Sequence, residues 1–112
     1  MYIPVKDAEG NIQLLHVSQD TLFMQTDQSG NLLFHTDHGA YQSIRRVEEW
    51  ASLLHKVGFL RVDRGTIVNL NKAWLFDSTL RVLKPLGMIG SIVIPVSGKS
   101  VDKLHQTLNE VL

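Results

Sequence analysis

Turn signals recur through this chain at short intervals. They fall at Glu9-Gly10-Asn11, at 27–31 (DQSGN), at Asp37-His38-Gly39, at Asp63-Arg64-Gly65, at Asp77-Ser78 and at 84–87 (KPLG). Glycine supplies backbone conformations that other residues resist, and Asp and Asn bond their own backbone ahead, so these clusters reverse the chain. Between them lie short β-prone runs at 2–5, 12–17, 21–25, 32–36, 40–42, 59–62, 66–70, 74–76, 80–83 and 92–96. Runs joined by turns this tight pair antiparallel, because a parallel crossover needs a dozen or more residues. The pattern predicts a mainly β, mostly antiparallel fold of about eight to ten short strands. Pro95 lacks a donor for a strand ladder, which places it at an edge or bulge.

Two stretches follow a helical period instead. Ser43 is an N-cap candidate, and Ile44, Val47, Ala51 and Leu54 then share one face. His55 and Lys56 suit the last turn, Gly58 the stop, and Trp50 the rim of the core. Near the end, Val101, Leu104, Leu108 and Val111 form a second stripe that Leu112 extends. A helix of that length is marginal alone in water. Its stripe is therefore either core or an interface with a second copy or another domain. The expected fold is one domain over residues 1–112, with a short inserted helix and a C-terminal helix.

Charge and composition narrow the function. There is no cysteine, hence no disulfide framework and no thiolate chemistry. No signal peptide or membrane-length apolar run is evident, so the expected setting is cytoplasmic, with no membrane partner. The net charge is zero, unlike most nucleic-acid binders. The distribution is uneven, however. Residues 1–60 hold four Lys/Arg and seven Asp/Glu, whereas residues 61–112 hold seven and four. A local basic face can steer a phosphate backbone even when the total is neutral.

The basic half begins with Phe59, Leu60, Arg61, Val62, Asp63, Arg64, Gly65 and Thr66, continuing through Ile67, Val68 and Asn69. A guanidinium, Arg64, stands at the tip of a turn between two apolar runs. Surface arginines are usually only solvated, but one at a loop tip also suits a polyanion. This stretch resembles the signature of the LytTR DNA-binding domain, roughly Phe-x-Arg-x-His-Arg-Ser-x-x-Val-Asn. Phe59, Arg61, Arg64, Val68 and Asn69 match in type and spacing. Asp63 stands where the family usually has His, and Gly65 where it usually has Ser. The likeness extends more loosely over most of the chain.

The resemblance implies small antiparallel stacked β-sheets, and sequence-specific binding of double-stranded DNA by a transcriptional regulator, with loops reading successive major grooves. It also implies DNA bending, binding of two copies to repeated half-sites, and control by a receiver domain in a two-component system. Matched onto this chain, the family's reading loops fall at residues 29–31, at Asp63 and Arg64, and at 97–99. The third loop departs, with Gly98 where the family often has Arg. The candidate DNA contacts are Asn31, Arg61, Asp63, Arg64, Thr66, Lys72, Ser97 and Lys99. Asp63 fits best as a turn residue or an orienter of Arg64. Lys99 lies near a helix N-terminus, where backbone N–H groups hold phosphate. Arg61 and Lys72 are expected on the surface, and Asn69 is expected to bond backbone.

Other chemistries find little support. The five histidines lack ligand spacing, and Ser97-Gly98-Lys99-Ser100 lacks the upstream glycine of a phosphate loop. No metal, cofactor or enzymatic activity is expected. The competing reading is a β-rich protein-interaction module without DNA binding, whose interface would use Tyr41, Trp50 and the C-terminal stripe.

Overall fold

Two hairpin turns share one chemistry. Asp7 Oδ1 accepts from the backbone N–H groups of Glu9 (3.0 Å) and Asn11 (2.8 Å). Asp27 Oδ1 accepts likewise from Ser29 (2.9 Å) and Asn31 (2.8 Å). Gly10 and Gly30 take φ of 87° and 85°, the left-handed geometry that closes each loop. The first turn joins β1 (Tyr2–Lys6) to β2 (Ile12–His16), and the second joins β3 (Thr21–Thr26) to β4 (Leu32–Thr36).

The computed structural model describes residues 1–43, 47–87 and 92–111, with side chains described for all of these except Val47, Glu48 and residues 108–111. The remaining elements are β5 (Gly39–Gln42), β6 (Phe59–Asp63), β7 (Thr66–Asn69), β8 (Trp74–Asp77), β9 (Val82–Pro85) and β10 (Ile94–Pro95). The helices are α1 (Val17–Asp20), α2 (Val47–Leu54) and α3 (Val101–Val111), with 3₁₀ turns at His55–Val57 and Gly98–Ser100. The first seven strands form one sheet in the order β2-β1-β5-β4-β3-β7-β6, and the other three form a second, β10-β9-β8. Among the described residues every pairing is antiparallel. The mainly β expectation therefore describes the molecule.

Alternation along the large sheet fills two cores. Met24, Phe34 and Ile67 join Ile3, Val5, Leu15, Trp50 and Leu54 on one face, beneath α2. Phe23, Leu60, Val62 and Val68 face the small sheet and α3 on the other, with Trp74, Leu83, Ile94, Val96 and Leu104. Pro95 lies in a two-residue edge strand, consistent with its missing donor. Gly58 ends the 3₁₀ turn that follows α2, at φ 92°.

Several expectations need correction. Trp50 is 4% exposed, stands edge-on to Phe34 at 5.6 Å and donates to Ser43 Oγ. It is core, not rim. Tyr41 packs against the same core. Leu104 is fully buried in the second, and Val101 packs against it, so the first half of the C-terminal stripe is core too. The interface drawn for a protein-interaction module is thus largely internal. Between β2 and β3, Gln19 and Asp20 lie in the short helix α1: His16 Nδ1 accepts from the Gln19 N–H, and Asp20 accepts from the His16 N–H. Of the helical faces, Ile44, the side chains of Val47, Leu108 and Val111, and Leu112 lie outside the described residues.

Candidate nucleic-acid interface

The β6–β7 hairpin turns at Arg64 and Gly65, with Asp63 as the last residue of β6, paired with Thr66. Gly65 does not use positive φ. Its lack of a side chain serves close approach: a Cβ built there would collide with Thr26 Oγ1. Thr26 also donates its backbone N–H to the Gly65 carbonyl at 3.0 Å. Gly65→Val is expected to destabilise the fold by about 1–3 kcal/mol through overpacking. Thr26→Ala in the same chain should recover part of that loss in urea unfolding, and no recovery would sink the assigned contact.

The Thr26–Gly65 bond joins two of the three loops. Thr26 ends β3, so the turn carrying Asn31 stands at the same end of the large sheet as Arg64. Asn31 is exposed, although its side chain is engaged by Asp27 (3.4 Å) and by Gln42 Nε2 (3.3 Å). The third loop reaches the second by backbone. Ser97 donates to the Val62 carbonyl at 2.7 Å, and Ser100 Oγ bonds the Arg61 carbonyl at 3.3 Å. A cleft lies between, with Arg61, Asp63 and Arg64 on one wall and Ser97 to Ser100 on the other.

The charges in this cleft are three cations and one carboxylate. Arg64 and Lys99 are exposed, and no hydrogen bond joins either side chain to another described residue. Arg61 is only partly exposed, which corrects the surface assignment. Its Nε donates to the Arg64 carbonyl at 3.0 Å, and its Nη2 donates to the same oxygen. Arg61 therefore braces the turn that presents Arg64. Asp63 is exposed and its carboxylate accepts no hydrogen bond from the described residues, so its side chain neither closes the turn nor orients Arg64. Ser97 is half-buried, with its hydroxyl 3.0 Å from that of Ser100.

Two candidates fall outside. Thr66 is 3% exposed, and its hydroxyl lies 3.4 Å from Gln25 Nε2. Pairing with β3 and β6 occupies its backbone edges, and its burial keeps the hydroxyl from solvent. Lys72 lies beyond the far end of β7, donating to the Gln19 carbonyl in α1. It is a structural tie at the opposite end of the sheet. Asn69 is fully buried and bonds the carbonyls of Ser18 and Thr21.

One residue absent from the candidate set reaches this region. Arg81, in the turn between β8 and β9, places Nη1 3.1 Å from where a Cβ on Gly98 would lie. No sequence pattern announces this approach, since 17 residues separate the two and tertiary packing alone joins them.

The same sheet end continues, through the register Lys6–Gln42–Leu33, to the β1–β2 turn. There Asp7 and Glu9 are acidic, and bonds from Gln13 and the Asn11 backbone hold the Asp7 carboxyl below its ordinary pKa. The loop row thus runs from acidic at β1–β2 to basic at β6. Among the described residues the other shifted group is His35 in β4, stacked on Phe23 at 4.4 Å, whose pKa burial lowers. Among the described residues no three His, Asp or Glu side chains converge as metal ligands, and no helix is long and apolar enough to cross a membrane.

Comparison with known proteins agrees with this geometry. The LytTr DNA-binding domain profile matches residues 13–109. No curated protein matches the chain. Among solved structures, the LytTr DNA-binding domain of a methyl-accepting/DNA response regulator from Bacillus cereus superposes with a TM-score of 0.73. The two are 19% identical, and the match covers 96% of this chain and 95% of that one. At that identity the likeness speaks to fold, and the profile match over most of the chain decides the family. The chain belongs to the LytTr DNA-binding domain family.

Proposed function

We propose that this domain binds double-stranded DNA sequence-specifically in transcription regulation, with the loops at one end of the large sheet entering the major groove. Membership of a DNA-binding family supplies the coarse function, DNA binding in transcription regulation, and a DNA-binding domain is not a catalytic one. The observation that carries the finer reading is the cleft: exposed Arg64 and Lys99 on facing walls, with the Asn31 turn tied to the Arg64 turn through Thr26 and Gly65. Arg64 is the base reader, because a guanidinium on a braced turn can offer two parallel bonds to guanine O6 and N7. Lys99 neutralises phosphate. Binding of two copies to repeated half-sites, and control by a receiver domain, belong to the same reading.

The test compares Arg64→Ala and Lys99→Ala on a duplex selected by the wild-type domain from random sequence and on an unrelated duplex. Arg64→Ala should cost about 1–3 kcal/mol on the selected site and much less on the other. Lys99→Ala should weaken both alike and lower the slope of log affinity against log salt by about one. Wild-type affinity of Arg64→Ala for both duplexes would remove the base-reading role.

A further inference from the structure

We propose that Arg81 is a fourth cation of the DNA interface, gripping a phosphate beside Lys99, an inference that rests on the DNA-binding reading above. Arg81 has φ 53°, and no other non-glycine among the described residues has positive φ. That conformation is strained for a side chain as large as arginine. The local turn does not require an arginine. Asp77 Oδ1 builds it, accepting from the N–H groups of Thr79 and Leu80 at 3.0 Å each. The Arg81 carbonyl accepts from the Val96 N–H at 2.8 Å, which any residue could do. Glycine or asparagine would suit the backbone better.

The side chain supplies the missing reason. It is exposed, it makes no hydrogen bond or ion pair with another described residue, and its guanidinium lies over Gly98. Gly98 sits between Ser97 and Lys99 in the cleft wall. Its bare Cα leaves the space that the guanidinium occupies. Arg81 does not itself line the cleft of Arg61, Arg64 and Lys99, but it stands beside the wall that carries Lys99. A row of cations fits a chain of phosphodiesters better than a single small anion, and a guanidinium fork matches the phosphate oxygens. Strain tolerated for a ligand contact is a recognised use of such backbone.

The test replaces Arg81 by Gly, which removes the side chain and relieves the strain, and by Asn, which also accepts positive φ. Each is titrated with a labelled duplex of random sequence over a range of salt, with thermal melting alongside. Both variants should melt at or above the wild-type temperature, lose affinity several-fold and lower the salt slope by about one. Arg81→Lys should keep the slope, because it keeps the charge. Wild-type affinity and slope in Arg81→Gly and Arg81→Asn, while Lys99→Ala is weakened, would overturn the assignment and leave the DNA reading standing. If the wild-type domain itself shows no salt-dependent binding, reading and assignment fall together. A drop in melting temperature for both Gly and Asn would make Arg81 a structural residue and also overturn it.

Discussion

Asn69→Ala is expected to lower the unfolding free energy by on the order of 3–5 kcal/mol, far more than an average polar substitution. Asn69 sits fully buried at the end of β7 and holds four segments together. Its Nδ2 donates to Ser18 O at 2.7 Å and Thr21 O at 2.8 Å, fixing α1 to the start of β3. Its Oδ1 accepts from the Asn71 backbone (3.0 Å) and side chain (2.9 Å). Asn71 in turn donates to Val57 O at 2.8 Å, beside Gly58, where a Cβ would collide with the Asn71 amide. The Asn69 carbonyl accepts from Trp74 Nε1 at 2.8 Å and so locates the small sheet. Removing the side-chain amide leaves buried carbonyls without donors, and each such group costs about 1–3 kcal/mol. Urea unfolding measures the loss, and a change below about 1 kcal/mol would contradict the network. Because Arg64 lies at the other end of β7, DNA affinity per folded molecule should stay near wild type.

Asn69 was legible as a residue that bonds backbone, but its partners were not, because Ser18 and Thr21 lie about 50 positions away. The turns were the clearest part of the sequence. Each carries Gly, Asp or Asn for a local reason, and local reasons survive without tertiary information. The faces of β6 and β7 were less clear. The register shifts between Arg61 and Asp63, so two residues of β6 oppose one of β7 and simple alternation fails there. That bulge helps explain why Thr66 is buried while Asp63 is exposed. Arg61 read as a surface cation because strand alternation puts it opposite Leu60 and Val62, and nothing local says that the next carbonyl but two will capture it. The Arg81–Gly98 approach was invisible for the same reason: it depends on where the small sheet docks.

The placement of the C-terminal helix yields the second large effect. Leu104→Ala is expected to cost about 2–5 kcal/mol, the range for emptying a leucine site in a packed core. Leu104 is fully buried among the residues that join the large sheet to the small one, including Val62 and Leu83. The neighbouring His105 ring meets Phe76 of β8 at 5.1 Å, so the helix touches the small sheet through more than one residue. The consequence reaches the interface, because α3 continues directly from the 3₁₀ turn of Gly98–Ser100. Among the described residues, hydrogen bonds from Ser97 and Ser100 to the Val62 and Arg61 carbonyls tie that turn to β6. Loosening α3 therefore loosens the wall that carries Lys99. The variant should melt on the order of 10 °C or more below wild type. At a temperature where it remains folded, its DNA affinity should fall while its mass in sedimentation stays that of the wild type. A changed mass with unchanged melting would instead make the stripe an interface between copies. If the variant melts low but binds DNA like wild type, the loop of Lys99 does not depend on the helix, and the mechanical link drawn here is wrong.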